Sequence, residues 1–311
     1  MRVLISGADG FIGSNVLEYM LEKTDWDFVC LCSWRHHGSP LNIKPSERVE
    51  VITHDLVGTI PELGHFDYIL NLASESHVDR SIDDPVNFVE NNVSSALQML
   101  EYARKQPPKV FVQFSTDEVY GAMEHKEWDI LLPSNPYAAS KAAQEMIAIA
   151  YWKTYKVPVV ITNSNNIVGK NQDPEKFVPK IVKLIQSDET VTIHTSNGKP
   201  GRRYWNPVQN TADALLFILN QHPQSYMKEV LGYKQANHPD RYALSGGEEL
   251  DNLEMAQLIA KTLGKQLKYK MIDAESIRPG YDEFYSKTEG ELDRRGWQPP
   301  FTLEQGLSWV E

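Results

Sequence analysis

The chain has 311 residues, a formal net charge of −11, 41% hydrophobic and 23% charged residues, a composition that fits a soluble globular protein with room for one large domain or two moderate ones. The acidic balance argues against a nucleic-acid partner, which requires a basic face, but not against a small anionic ligand held by a few local Arg and Lys residues. No apolar run approaches the roughly 18 residues of a membrane span, so no membrane segment is expected.

Met1-Arg2-Val3-Leu4-Ile5-Ser6-Gly7 runs straight into a structural motif, with no stretch before it for a signal peptide, and the expected compartment is the cytosol. The first predicted strand covers 2–5, and Gly7-Ala8-Asp9-Gly10-Phe11-Ile12-Gly13 follows it directly. This segment opens a helix with Ile12, Val16, Leu17, Met20 and Leu21 on one side. Gly7, Gly10 and Gly13 permit a tight turn and close backbone approach, so a dinucleotide's pyrophosphate can sit on the N–H groups at the helix start, beside Phe11 and Ile12. A glycine triplet alone says little; a strand before it and a helix after it point to a dinucleotide site.

The second predicted strand, 28–32, carries Cys30 and Cys32, whose spacing suits neither a disulfide nor a zinc site; buried free thiols and no metal are expected. A Rossmann-type site that prefers NAD usually offers an acid to the adenosine ribose at this strand's end. Here the chain reads Ser33-Trp34-Arg35-His36-His37, and a hydroxyl followed by Arg suits a 2′-phosphate, so NAD and NADP both stay open. The plainer alternative is a solvated loop with Arg35 facing water. After the third strand, 49–52, Asp55 and its neighbour Leu56 are placed near the adenine, and a helix-cap role suits Asp55 equally well.

A fourth strand at 68–72 leads to a helix beginning at Asp84-Pro85, with Asp84 as cap and Val86, Val89, Val93, Ala96, Leu97, Leu100 and Ala103 repeating at three and four. A fifth strand at 110–114 ends at Ser115, where ligands of open parallel sheets bind, and is followed by Thr116, Asp117 and Glu118. Asn135-Pro136 begins another helix, placing Tyr137 in its first turn and Lys141 one turn on along the same face. A nearby ammonium stabilises phenolate, so Tyr137 is expected to accept a proton nearer neutral pH than its usual value of about 10. A sixth strand is predicted at 157–162, and from about 166 the alternation weakens. The fold class is therefore α/β, a Rossmann-type doubly wound parallel sheet with a smaller mixed α/β substrate-binding domain. The expected division is 1–165 and 166–311, with part of about 204–226 packing back on the first domain.

Strand, Thr116, Tyr137 and Lys141 behind a Rossmann turn resemble the extended short-chain dehydrogenase/reductase superfamily. Within it, the Asp117-Glu118 pair is most similar to nucleoside-diphosphate-sugar 4,6-dehydratases, above all the dTDP-glucose 4,6-dehydratase family. Leu72-Ala73-Ser74-Glu75-Ser76-His77, Asp173-Pro174-Glu175-Lys176-Phe177, Arg278-Pro279-Gly280 and Gly296-Trp297-Gln298-Pro299 resemble further segments of that family, in order along nearly the whole chain. The resemblance implies that Tyr137 takes the proton of a sugar 4-hydroxyl while hydride leaves C4, with Thr116 bonded to the same oxygen. Glu118 would then remove the C5 proton and Asp117 protonate the departing 6-hydroxyl, each worth on the order of 10²–10⁴-fold. It further implies cofactor contacts at Leu72 and Ala73, substrate contacts at Ser76, His77, Asn166, Lys176, Arg203 and Arg278, a tightly bound NAD or NADP recycled within each turnover, and a homodimer packed through two helices per subunit. Read without the family, His77 is a polar loop residue and the arginines are surface charge. The chain departs from the family pattern at Asn166-Ile167-Val168-Gly169 and Pro207-Val208-Gln209-Asn210, which leaves the nucleobase and the hexose open.

Three other activities compete. UDP-sugar 4-epimerases and UDP-glucuronate decarboxylases share the Tyr and Lys, but neither reaction needs an acid for a 6-hydroxyl. A non-catalytic NAD(P)-binding sensor needs none of Thr116, Tyr137 and Lys141.

Overall fold

The computed structural model describes residues 1–35, 38–121, 125–232, 238–273 and 290–310. In chain order, its first half runs β1 (Arg2–Ser6), α1 (Phe11–Lys23), β2 (Asp27–Cys32), β3 (Val49–Thr53), β4 (Tyr68–Asn71), α2 (Val78–Asp83), α3 (Pro85–Lys105), β5 (Val110–Thr116), α4 (Pro136–Tyr155) and β6 (Val159–Ser164). The rest comprises β7 (Asn166–Val168), α5 (Phe177–Gln186), β8 (Val191–Ser196), β9 (Lys199–Pro200), β10 (Arg202–Pro207), α6 (Val208–Gly232), β11 (Asp240–Leu244), β12 (Glu248–Asp251), α7 (Asn252–Thr262), β13 (Tyr269–Asp273), α8 (Glu291–Arg294) and α9 (Leu303–Gly306).

Seven strands form one sheet in the order β11-β6-β5-β4-β1-β2-β3, with every neighbouring pair parallel. Alternating side chains explain its two covered faces. Val3, Ile5, Val110 and Val112 pack with Val16, Met20, Leu215 and Leu219 of α1 and α6. Leu4, Ile69 and Phe111 pack on the opposite face with Met99, Leu100 and Ala148 of α3 and α4. Burial of each such side chain contributes roughly 1.5–3 kcal/mol. Strand order reverses beside β1, which opens a crevice at the carboxyl ends of the strands, where both the glycine turn and Thr116 emerge.

All six predicted strands exist. The last begins at Val159 rather than 157, because Pro158 has no N–H to give the ladder. The helix after Pro85 exists too, but its inward face differs from the apolar repeat. Phe88, Asn92, Ser95, Ala96, Met99, Leu100 and Ala103 are buried, whereas Val86 is 65% exposed. Asn92 and Ser95 can turn inward because their polar atoms are satisfied: Asn92 donates to the Glu75 carbonyl and the Ser140 hydroxyl, and Ser95 donates to the Asn92 carbonyl. Asp84 occupies the cap position without a capping bond, and its carboxylate accepts the Asn87 amide instead. Cys30 and Cys32 are free and buried in β2.

The chain beyond 166 contributes twice to this sheet. Helix α6 lies against α1, and β11 pairs with β6. Two small sheets, β12-β10-β7 and β13-β8-β9, pack with α5 and α7 around Ile181, Ile185, Trp205, Met255 and Ile259. An Asp251–Glu254 capping box starts α7. Among the described residues no helix is long and apolar enough to cross a membrane, and no cluster of His, Cys, Asp and Glu could hold a metal ion.

Candidate active site

Strand β5 carries its buried run through Thr116, two residues beyond the predicted end, and Asp117–Tyr120 continue as a single 3-10 turn. Thr116 caps this turn, accepting the Glu118 N–H at 3.3 Å, and donates its hydroxyl to Asp117 Oδ1 at 3.2 Å. The turn thereby swings two consecutive carboxylates into the crevice, Asp117 buried and Glu118 half-buried. Burial is the main cause that pushes the Asp117 carboxyl up to about 7; the charge of Glu118 adds to it, while bonds from Asn165 and Thr116 and the charge of Arg203 oppose it. The buried carboxyl of this dipeptide is thus pushed toward the protonated form that a general acid requires.

Helix α4 starts as the sequence indicates. Asn135 caps the Ala138 N–H at 2.9 Å, Pro136 fills the first turn, and the Tyr137 N–H donates to the Ser81 hydroxyl at 3.1 Å. Tyr137 is buried, hydrogen-bonded to the Thr116 hydroxyl and edge-on to Phe88. Its pKa differs from the sequence expectation: burial first, then the charge of Glu118, pushes the phenol up rather than down. Lys141 stands one turn on, but its ammonium donates to the Phe114 carbonyl at 2.7 Å and to Gln144 Oε1 at 2.8 Å. Burial brings Lys141 down to about 7, opposed by the charge of Glu145. Tyr137 therefore meets carboxylates more strongly than it meets the ammonium.

The glycine turn has the shape required of a pyrophosphate cradle. Gly7 has φ +71°, and a Cβ on Gly13 would stand 2.1 Å from the Gly7 carbonyl oxygen, so neither position admits a side chain. Gly10 begins α1 with no capping side chain, which leaves the first-turn N–H groups for a ligand. Phe11 and Ile12 form that first turn, and Leu72 and Ala73 follow β4 across the crevice, where a Cβ on Gly7 would meet the Ala73 backbone at 2.8 Å. These residues fit a bound dinucleotide. Past β2, Arg35 and Asp55 are brought together, 2.5 Å apart, a pairing that neither the phosphate reading nor the solvated-loop reading includes. Asp55 also accepts the Val57 N–H, and Leu56 is buried. Ser33 is half-buried at the start of the same loop.

Of the substrate candidates, Arg203 on β10 acts electrostatically on Asp117, and Asn166 on β7 pairs in register with Trp205, two residues beyond Arg203. Ser76, His77 and Lys176 form a second cluster. Lys176 donates to the Ser76 carbonyl at 2.6 Å, and Glu175 pairs with Arg80 at 2.6 Å and lies 3.4 Å from His77 Nε2. His77 itself caps α2. Arg278 lies outside the described residues. The sequence reading passed over Asn165, which donates to Asp117 Oδ2 at 2.9 Å, and over Gln144 and Asn163, which join the buried network behind Lys141 and Thr116. The signal was present: five consecutive polar residues, Thr162-Asn163-Ser164-Asn165-Asn166, follow the apolar Val159-Val160-Ile161 through the carboxyl end of the strand.

Residues 4–309 match the family described as GDP-mannose 4,6 dehydratase. The chain is 32% identical to a dTDP-glucose 4,6-dehydratase of Streptomyces niveus, over 99% of this chain and 90% of that one. It is 31% identical to the low-salt glycan biosynthesis protein Agl12 of Haloferax volcanii, over 99% and 96%. Its structure is similar to that of DesIV, a dTDP-glucose 4,6-dehydratase from Streptomyces venezuelae solved with NAD bound, with TM-score 0.86, 28% identity and coverage of 100% and 95%. A UDP-glucose 4-epimerase from Thermus thermophilus, at 24% identity and TM-score 0.83 over 100% and 97%, shares the fold alone.

Proposed function

The chain belongs to the GDP-mannose 4,6 dehydratase family of extended short-chain dehydrogenases/reductases, and from that premise we propose how its own residues divide the work of a nucleoside-diphosphate-hexose 4,6-dehydratase. Tyr137, as the phenolate left once its own proton has passed to solvent, receives the proton of the sugar 4-hydroxyl, and Thr116, already bonded to both Tyr137 and Asp117, steadies the same oxygen. Held on the Gly7–Gly13 turn with Leu72 and Ala73 across the crevice, NAD would supply the hydride acceptor for C4 and a positive charge that favours the phenolate. Once C4 is a ketone, the C5 proton is acidic and Glu118 removes it. Asp117, neutral near pH 7, gives its proton to the 6-hydroxyl, which leaves as water. Hydride returned to C6, and a proton delivered to C5 by Glu118 after exchange with solvent, would give the 4-keto-6-deoxy sugar with no net oxidation.

The observation that carries this reading is the buried, raised Asp117 beside the half-buried Glu118 at the end of β5. Epimerisation at C4 has no step in which an acid of this kind is used. Arg203 and Lys176 supply the cations for a diphosphate, with Asn166, Ser76 and His77 around it. A homodimer through α3 and α4 is supported by exposed apolar side chains on them and on α2: Val86 and Leu97, Met146, and Ile82. A panel of dTDP-, UDP-, CDP- and GDP-hexoses tests the reading. One of them should yield a 4-keto-6-deoxy product carrying solvent deuterium at C5 when the reaction is run in heavy water.

A further inference from the structure

Each turnover of the dehydratase proposed above, a reading on which the following inference rests, takes one proton from Asp117, and this buried carboxylate must recover it before the next sugar reacts. Bulk supply is slow. The diffusional ceiling multiplied by the hydronium concentration at pH 7 gives on the order of 10²–10³ s⁻¹ for an exposed base, and burial brings that down into the range of ordinary turnover. Beside Asp117, over β5, β6 and β11 and away from the glycine turn after β1, lies a cavity of about 10 Å³, room for one water. Asn163 and Asn165 line it, both buried, and the side-chain oxygen of each has no hydrogen-bond partner among the described residues. Their amide nitrogens are engaged, Asn163 with the Thr116 carbonyl and Glu145, Asn165 with Asp117. A water seated here can donate one hydrogen to such an oxygen and the other to Asp117.

His125 forms another wall. Of the eight described residues that line the cavity, it alone is not buried, so it joins the cavity to the surface. Its ring lies flat on Tyr120, with centroids 3.8 Å and planes 13° apart. Tyr120 is fixed in turn, donating to the Glu127 carbonyl and accepting from Arg241, each at 2.7 Å. The Glu127 carboxylate, which also lines the cavity, is occupied: it accepts the Ala243 and Glu291 N–H groups at 3.0 Å and pairs with Arg294. Burial first, then the charge of Arg241, lowers the pKa of His125, against a bond to the Lys126 backbone and the charge of Asp129. Burial raises that of Asp117 to about 7, so a proton passing from imidazolium to this carboxylate runs downhill.

We propose that His125 reloads the general acid, taking a proton from solvent and passing it through one water in this cavity to Asp117. The imidazolium N–H bond breaks as the water oxygen takes that proton, and a water O–H bond breaks as Asp117 becomes the neutral acid. His125 is left neutral, and nothing is oxidised or reduced. The test uses the full chain and the nucleoside-diphosphate hexose that it turns over, with product measured by rapid quench. His125→Phe keeps a ring on Tyr120 and removes the titrating nitrogen. It should form the first product per site within about twofold of the wild-type rate, then turn over about tenfold or more slowly, a break that the wild type lacks. His125→Ala should show the same break, and imidazole in solution should restore most of its later turnover. Unchanged turnover in both variants, a first turnover slowed as much as later ones, or no recovery with imidazole overturns this inference alone. Wild-type protein that removes water from none of the sugars contradicts the dehydratase reading, and this inference with it.

Discussion

Asn165 donates its side-chain amide to Asp117 Oδ2 at 2.9 Å, so a residue just past β6 restrains the carboxyl that burial pushes up to about 7 at the end of β5. A hydrogen bond to the charged form lowers a carboxyl pKa, and its loss must raise it. Elimination needs Asp117 protonated, so its rate falls as pH rises through about 7. Asn165→Ala should move that falling limb to higher pH by about one unit, measured as the pH profile of single-turnover water loss.

Replacing the acid separates the two halves of the reaction. Asp117→Asn should slow elimination by about 10²–10⁴-fold while C4 oxidation, followed as transient NADH absorbance, stays within about tenfold. Equal loss of both steps would place Asp117 in sugar positioning rather than in proton donation.

The site also works against stability, in a direction that pH reveals. The folded-state pKa of Asp117, about 7, lies above its ordinary 3.8, so between those values the folded protein binds the extra proton and stability falls as pH rises. Asp117→Asn should therefore stabilise the fold at pH 8, by on the order of a few kcal/mol, and the gain should shrink toward zero near pH 4. Lys141 has the opposite slope. Its folded value of about 7 lies below its ordinary 10.5, so the folded state regains stability from this group as pH climbs from about 7 toward 10.5. Lys141→Met should stabilise most at or below pH 7. Thermal melts of both variants across pH 4–10 measure the two slopes.

The Arg241–Glu145 pair, 2.6 Å apart with side chains 1% and 0% exposed, ties β11 to α4 behind the site. Arg241 also donates to the Tyr120 hydroxyl at 2.7 Å, and Glu145 accepts the Asn163 amide at 2.7 Å. Arg241→Ala leaves a carboxylate buried and unpaired, and should cost about 3–5 kcal/mol in denaturant unfolding. Replacing both partners with apolar residues of similar volume should cost far less.

Much of this molecule is legible in its sequence, for reasons that also explain what is not. β1, β2, β4, β5 and β6 are buried on both faces and read as short apolar runs bounded by turn residues. Asp240–Leu244 carries the same apolar character in Tyr242, Ala243 and Leu244, but its partner β6 lies about 80 residues earlier, and no local pattern reports a pairing at that distance. On α3, an apolar repeat misassigns the inward face because Asn92 and Ser95 are buried as hydrogen-bonding groups. Thr116, Asp117, Glu118, Tyr137 and Lys141 stand out because their types and spacing carry chemistry. Asn165 acts only through Asp117, and Asp9 reads as a spacer between glycines until the Trp34 N–H is seen on its carboxylate. The direction of the Tyr137 shift likewise depends on burial and on the charge of Glu118, which spacing along a helix cannot tell.

The structure of the product separates dehydration from epimerisation and decarboxylation. The purified protein, given the nucleoside-diphosphate hexose that it turns over, should form a compound one water lighter, with a ketone at C4 and a methyl group at C6 by nuclear magnetic resonance. A product of unchanged mass that differs only in configuration at C4, or a pentose formed with loss of carbon dioxide, would contradict it.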